Sequence, residues 1–474
     1  MSRSTPDLAL STSSLPALSA RGVPVPTYDR TTLRPRIVHI GVGGFHRAHL
    51  ALYTDELAAA GSDWGIRGVG MLAGDRAMAE ALRAQDLLYT LTERGSDGSQ
   101  SRVIGSIVDY VLADSEPRLA VEAIADPETA IVSLTITESG YTEPPAGTIG
   151  VFDVVAEALD RRRAEGLGPV TILSCDNLPG NGVVARRAML AATARRSDDL
   201  QHWVATRCTF PNSMVDRITP ATSEADRRWL VDEYGIVDRW PVVGEPFRQW
   251  VIEDDFAAGR PAWEDVGALF TPDVHSWELY KLRFLNAGHS SIAYLCALAG
   301  ITFVDEALAD PAVNAYLTEL LVEEALPTVH EIPGYPREDY IRTVLDRFAN
   351  TGVRDQIARL CIDGSAKYPT FLLPTIVRQL ELGGPIERAT LALAGWARYL
   401  AVVPAEQQSF DATGDEARAF ARAGADDPVA FLEYRRVFPD ELRTNERFRR
   451  QFAESARALD AIGPRAAMMG ITSS

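Results

Sequence analysis

The segment Ile37-Val38-His39-Ile40-Gly41 constrains the fold more than any other part of the chain. It is a short apolar, β-branched run that ends on a glycine, and Val42-Gly43-Gly44-Phe45-His46 follows at once. Residues 46–60 then have helical texture and stop at Gly61. Strand, glycine turn and helix in that order make a βα unit. A strand without polar alternation belongs in a parallel sheet that is covered on both faces. The pattern repeats, with strands expected over 65–71, 129–138 and 169–177, and helices over 118–124, 152–165 and 182–196. This alternation predicts an α/β fold, a doubly wound sheet of Rossmann type.

Past residue 275 the texture changes. Helical periodicity runs over 277–298, 310–326, 337–348, 366–382, 386–400 and 440–459, and β-rich runs become scarce. Three segments are therefore expected: a loose Ser/Pro/Thr-rich arm over 1–34, a dinucleotide-binding domain over 35–275, and a mainly α-helical substrate and catalytic domain over 276–474. The four cysteines, Cys175, Cys208, Cys296 and Cys361, show no C-x-x-C and no paired spacing, as in a reducing compartment. Residues 1–26 lack the apolar core of a signal peptide, and the longest mostly apolar run, 292–304, is too short to span a bilayer. A cytoplasmic location is expected. Lys and Arg number 47 against 65 Asp and Glu, a net charge of −18, which repels phosphate backbones and anionic lipid. Nucleic acid and membranes are thus poor partners, and a small-molecule substrate is expected.

The loop Gly41, Val42, Gly43, Gly44, Phe45 stands where a dinucleotide fingerprint requires it, with glycines that let backbone approach a pyrophosphate at a helix start. The third fingerprint position, usually Gly or Ala, is His46. An acidic residue after the second strand reads the adenosine ribose in such domains. Here the candidate is Asp75, with a helix N-cap as the alternative reading. His46 and His49 have the i,i+3 spacing of a metal pair, but no carboxylate or cysteine nearby completes a set, so no metal is expected.

The segment 277–289, WELYKLRFLNAGH, carries Lys281, Asn286 and His289 along a largely apolar helix. Buried polar groups need partners, so a polar line of this kind is unusual. On a regular α-helix Lys281 and His289 lie about 80° apart and roughly two turns along the axis, and Asn286 and His289 are i,i+3 neighbours. The alternative is a surface lysine beside a satisfied Asn–His pair. The chemistry that fits is alcohol oxidation: a hydride leaves the carbinol carbon while a base takes the hydroxyl proton. A lysine desolvated in an apolar site can be that base near neutral pH. Asparagine amides can donate to the developing alkoxide. Asn177, at the carboxyl end of the strand expected over 169–177, is a second donor, placed where ligands bind in open α/β sheets.

The stretches IVHIGVGGFHRAHLALYTDEL, SLTITESGYT, SCDNLPGNG, FPNSMVDRITP, EPFRQWVIEDDF, KLRFLNAGHS and DGSAKYPTF together resemble the polyol-specific long-chain dehydrogenase/reductases. The resemblance implies a zinc-independent enzyme that oxidises D-mannitol to D-fructose with NAD, usually as a monomer. It implies Lys281 as general acid/base, Asn177 and Asn286 on the reacting oxygen, His289 orienting the substrate and Glu278 in the proton path. Asp216, Arg359 and Lys367 would grip the polyol hydroxyls, and Gly41, Gly43, Gly44, Phe45 and Asp75 the cofactor. Many relatives carry Gly-Ser where this chain has Ala287-Gly288. NAD-preferring ones tend to carry Glu where it has Gly74, which leaves NADP as a weaker alternative cofactor. Other readings are a fructuronate or tagaturonate reductase, a dehydrogenase of D-arabinitol, D-sorbitol or D-altritol, and, more remotely, a nucleotide-binding regulator without turnover.

Overall fold

The structure is a computed structural model, and it describes residues 7–145, 148–424 and 427–472. The chain divides into two compact units, Met1–His275 and Ser276–Ser474.

In the first unit five strands form one sheet: β1 (Arg34–Ile40), β2 (Trp64–Gly70), β3 (Ile107–Leu112), β4 (Ile131–Leu134) and β5 (Thr171–Ser174). Their order is β3-β2-β1-β4-β5, and every neighbouring pair is parallel. Successive residues point to opposite faces, and both faces are apolar. Ile37, Ile66, Ile131 and Leu173 enter one core, while Val38, Val69, Val132 and Ile172 enter the other. Helices Pro117–Ala125, Val151–Ala164 and Asn181–Ala194 contribute to the second core, and Leu50–Ala59 covers the first. The mostly apolar strands thus end up buried on both sides, as a parallel sheet requires.

β4 is shorter than the run expected over 129–138. Thr137 turns left-handed at φ +63°, and the N–H groups of Ile136 and Thr137 donate to the Asp176 carboxylate instead of a strand. Two smaller sheets were not anticipated. Tyr89–Gly95 and Gly98–Ile104 form an antiparallel hairpin beside Val242–Gly244, and Gln249–Ile252 pairs with Ser213–Asp216 and Leu269–Phe270. Several of these strands mix polar and apolar residues, which hides them among loop signals.

The arm expected to be loose over 1–34 is held from Leu8 onward; residues 1–6 lie outside the described residues. Leu8–Ala9 pairs in parallel with Ile236–Val237, and Leu10, Leu18 and Val23 bury against Leu88, Val103 and Ile236. Scattered apolar residues in a Ser- and Pro-rich stretch anchor it.

The second unit is helical. Its central helix, Glu387–Val402, is buried on every side over Arg388–Trp396, as befits a helix surrounded by others. The helix expected over 277–298 is interrupted: Val274–Tyr280 is α, Lys281–Asn286 is a π-turn, and Ala287–Leu298 is α again. A second π-turn, Leu320–Ala325, continues Pro311–Glu319. Arg337–Phe348 spans the residues expected of it. The last helix, Glu446–Thr472, kinks where Gly463 (φ +77°) precedes Pro464.

Candidate active site

In the first unit the glycine loop leaves β1 at Gly41, whose φ is +94°. A Cβ there would stand 2.2 Å from the Thr135 carbonyl oxygen, so both conformation and crowding demand glycine. The Thr135 hydroxyl donates to the Gly41 carbonyl at 2.6 Å and ties the ends of β1 and β4 together. Gly43 caps the short helix Gly44–Ala48, Val42 is buried, and the Phe45 ring stacks on His49 with centroids 4.8 Å apart.

His46, in the third fingerprint position, turns inward. Its ring lies flat on His39 of β1, centroids 3.5 Å apart and planes 11° from parallel. Glycine at this position lets helix and strand pack closely; here a flat imidazole fills the gap. His39 is hydrogen-bonded to Ser133 Oγ at 2.8 Å and Thr135 Oγ1 at 2.9 Å, whereas neither nitrogen of His46 has a partner among the described residues. Burial pushes the pKa of His46 well below the ordinary imidazole value and those of His39 and His49 down to about 3. His49 is engaged separately, its Nε2 bonded to the Gln249 carbonyl at 3.0 Å.

Asp75 follows β2. Its Oδ2 accepts the Leu72 N–H at 2.9 Å and closes the turn Ala73–Asp75, while Oδ1 has no hydrogen bond among the described residues. The carboxylate therefore caps a turn and still presents one oxygen. Gly70 permits the approach, since a Cβ there would lie 2.8 Å from Asp75 Cβ and 2.7 Å from the Tyr110 hydroxyl. Arg76 is drawn off to Asp114 at 2.5 Å.

Asn177 lies exposed on the loop after β5. The loop is fixed from within. The Asp176 carboxylate accepts the Ile136 and Thr137 N–H groups and the Tyr141 hydroxyl (2.6 Å), though burial still raises its pKa above the usual range. The Asn181 amide donates to the carbonyls of Ser174, Asp176 and Ser213 at 2.8–3.1 Å. Asn212 in turn accepts the Gly182 N–H at 3.0 Å and is held by Glu253. Asn181, Asn212 and Glu253 lie in the motif stretches, but nothing in their spacing shows this bracing. Asp216 ends the strand Ser213–Asp216 and is buried.

In the second unit Lys281 is 8% exposed, beside buried Tyr280, Phe284 and Leu285, with Glu278 also buried. The π-turn changes the helical arithmetic. On a regular α-helix, residues five apart lie about 140° from each other. Bonding from i to i+5 widens the turn, so Lys281 and Asn286 lie nearer to one face than they would on a regular α-helix. His289 sits beyond Asn286 on Ala287–Leu298, its ring stacked on Phe348 with centroids 4.0 Å apart and planes 10° from parallel. Gly288 suits this: a Cβ there would meet the Phe348 ring at 3.3 Å, close enough that the ring would have to shift by a few tenths of an ångström. His289 Nε2 is buried without a hydrogen-bond partner among the described residues. Burial pushes the pKa of this histidine down to about 3, leaving it neutral.

The charges of Asp355, Arg359, Arg347 and Lys367 all act on His289. The structure thus gathers three expected residues, His289, Arg359 and Lys367, and adds Asp355 and Arg347. Arg359 Nε donates to Asp355 Oδ1 at 2.6 Å and Arg359 Nη2 to Oδ2. Despite burial, these bonds hold the Asp355 pKa below the usual carboxylate value. Lys367 Nζ donates to the Leu360 carbonyl at 3.1 Å, and burial, then Arg359, lower its pKa. The i,i+4 spacing of Asp355 and Arg359 was the available sequence signal for this pair.

Two family models match: the mannitol dehydrogenase Rossmann domain over residues 35–265 and the mannitol dehydrogenase C-terminal domain over 273–460. A mannitol 2-dehydrogenase of Phaeosphaeria nodorum is 40% identical, the match covering 94% of this chain and 83% of that one. One from Aspergillus fumigatus is 41% identical over 94% and 95%. Among solved structures, the Pseudomonas fluorescens mannitol 2-dehydrogenase ternary complex with NAD and D-mannitol is 40% identical with a TM-score of 0.89, covering 98% of this chain and all of that one. A substrate-free D-sorbitol dehydrogenase is 35% identical with a TM-score of 0.88, over 97% and 100%. With both family models matched along nearly the whole chain, and relatives of this identity and coverage, the chain belongs to the mannitol dehydrogenase family.

Proposed function

We propose that the protein oxidises D-mannitol to D-fructose, reversibly and with NAD: D-mannitol + NAD⁺ ⇌ D-fructose + NADH + H⁺. The observation that carries this reading is the full-length likeness to the ternary complex with NAD and D-mannitol. The first unit fits the cofactor. Gly41, Gly43 and Gly44 offer bare backbone at the carboxyl end of β1, suited to a pyrophosphate, and Asp75 Oδ1 is open to a ribose hydroxyl. Bound there, the nicotinamide supplies the hydride acceptor.

The remaining chemistry is the chain's own. Lys281 Nζ takes the proton of the hydroxyl being oxidised and Glu278 passes it on. The amides of Asn177 and Asn286 donate to the oxygen as charge builds on it. Neutral His289 keeps a free Nε2 for a substrate hydroxyl, its ring angle set by Phe348. Asp216, Arg359 and Lys367 bind the other hydroxyls. Four unpaired, buried cysteines support a reducing, cytoplasmic setting. The test is NADH absorbance with D-mannitol, D-sorbitol, D-arabinitol and D-altritol, each with NAD⁺ and NADP⁺. D-mannitol with NAD⁺ should give the highest kcat/KM; a higher value for another polyol, or no turnover of any, overturns the reading.

A further inference from the structure

Arg359 and Lys367 stand on one short stretch of the second unit that is held in an uncommon way. Arg354 has φ +52° and Asp363 φ +51°, left-handed values that residues other than glycine seldom adopt. Arg354 is clamped there. Its guanidinium donates to Asp305 at 3.0 Å and Glu306 at 3.1 Å and lies 3.7 Å from the centre of the Phe303 ring. Asp363 donates its N–H to the Phe410 carbonyl at 2.8 Å and accepts the Ala412 N–H at 3.0 Å. Next to Arg354, the Asp355 carbonyl accepts the Val304 N–H and the Ile357 N–H donates to the Thr302 carbonyl, both at 2.9 Å, so that Phe303 and Gln356 form an antiparallel bridge.

The Asp355 backbone is therefore fixed before its side chain does anything. The side chain reaches one helical turn forward to the forked pair with Arg359. The Asp355 side chain is 7% exposed and that of Arg359 50% exposed. The buried, anchored partner places the exposed one. The fork occupies the Nε edge of the guanidinium and matches its charge. The other end still donates to a neutral hydroxyl, which asks only for an N–H. A substrate carboxylate seeks the charge as well, and would approach a cation already neutralised, with an anion behind it.

We propose that Asp355 is a positioning residue that sets the substrate class through Arg359, presenting it to the hydroxyls of neutral polyols and ketoses and disfavouring the carboxylate of a keto sugar acid. This rests on the reading above in which Arg359 binds the substrate.

The experiment compares Asp355→Asn, Asp355→Glu, Arg359→Met and the Asp355→Asn/Arg359→Met pair, reducing D-fructose and D-fructuronate with NADH. Asp355→Asn should raise KM for D-fructose about tenfold with kcat within about threefold, and raise the kcat/KM ratio of D-fructuronate to D-fructose about tenfold. Asp355→Glu should recover part of both. Arg359→Met, leaving an unmatched carboxylate, should lower that ratio, and adding Asp355→Asn should cost D-fructose reduction nothing further. The Arg359→Met arm stands even if Asp355→Asn fails to fold. A ratio unmoved by Asp355→Asn, a ratio raised by Arg359→Met, or an added loss of D-fructose reduction in the pair overturns the proposal. Wild type inactive on every neutral ketose and polyol overturns the functional reading; wild type active on D-fructose with an unmoved ratio overturns the role of Asp355 alone.

Discussion

In the proposed reaction a lysine in a largely apolar segment supplies the base. Lys281, 8% exposed on the π-turn Lys281–Asn286, is that residue. Lys281→Ala is expected to keep NADH binding, read by fluorescence titration, while kcat falls by about 10²–10⁴-fold, the usual size of a general-base effect. A variant with near wild-type kcat would remove the lysine from the mechanism. Asp75 combines two tasks, because one oxygen caps the turn Ala73–Asp75 and the other is open. Asp75→Ala should raise KM for NAD⁺ and improve use of NADP⁺, the kcat/KM ratio shifting tenfold for each ~1.4 kcal/mol removed. The lost cap should also lower stability by about 0.5–2 kcal/mol, seen in thermal melts. An unchanged cofactor ratio with lowered stability would leave only the cap. Lys281, Asn286 and His289 draw attention in the sequence because polar residues stand out in an apolar stretch. Asp355 and Phe348 were not, since their importance lies in what they hold.

At the scale of elements, one additional residue in a turn changes which side chains align. The run 277–298 reads as one helix, and the π-turn Lys281–Asn286 that interrupts it has no composition of its own. Glycine signals fared better: Gly41 is where a turn demands it, and Gly61 (φ +103°) ends its helix. The inward turn of His46 was not legible, because a histidine after a glycine loop reads equally well as solvent-facing. The stack it makes has a consequence for pH. His39, His46 and His49 all have folded pKa values below the ordinary value near 6.5 because burial disfavours the cation. Below that value the unfolded chain takes up protons that the folded chain refuses. Stability is thus complete above about pH 6.5 and falls as pH drops towards the folded values, by up to about 1.4 kcal/mol per pH unit for each histidine. His46→Phe keeps a ring on His39 and removes one titrating group. Denaturant melts at pH 6.5 and pH 5 should show a loss smaller than wild type's by about 1.5 kcal/mol. An equal loss in both proteins would mean that His46 is not held neutral.

For the whole molecule, the five-stranded parallel sheet was legible in outline because strands buried on both faces carry mostly apolar runs, as 37–40 and 131–134 do apart from His39 and Ser133. The hairpin Tyr89–Gly95/Gly98–Ile104 was not, because Thr90, Thr92 and Ser101 bring polar groups into buried positions, where Thr90 donates to Asp238 and Thr92 pairs with Ser101. In the helical unit the breaks fell at Pro and Gly or at π-turns, so helices were legible and their joins less so. The strand Leu8–Ala9 has a further bearing. Among the described residues its one partner strand is Ile236–Val237, and the apolar residues behind it bury against Leu88, Val103 and Ile236. A ribosome delivers residue 8 long before residue 236, at a rate of about 5–20 residues per second. For many seconds of synthesis this segment must wait while the chain it will join is still being made, and it is fastened only once most of its unit has appeared.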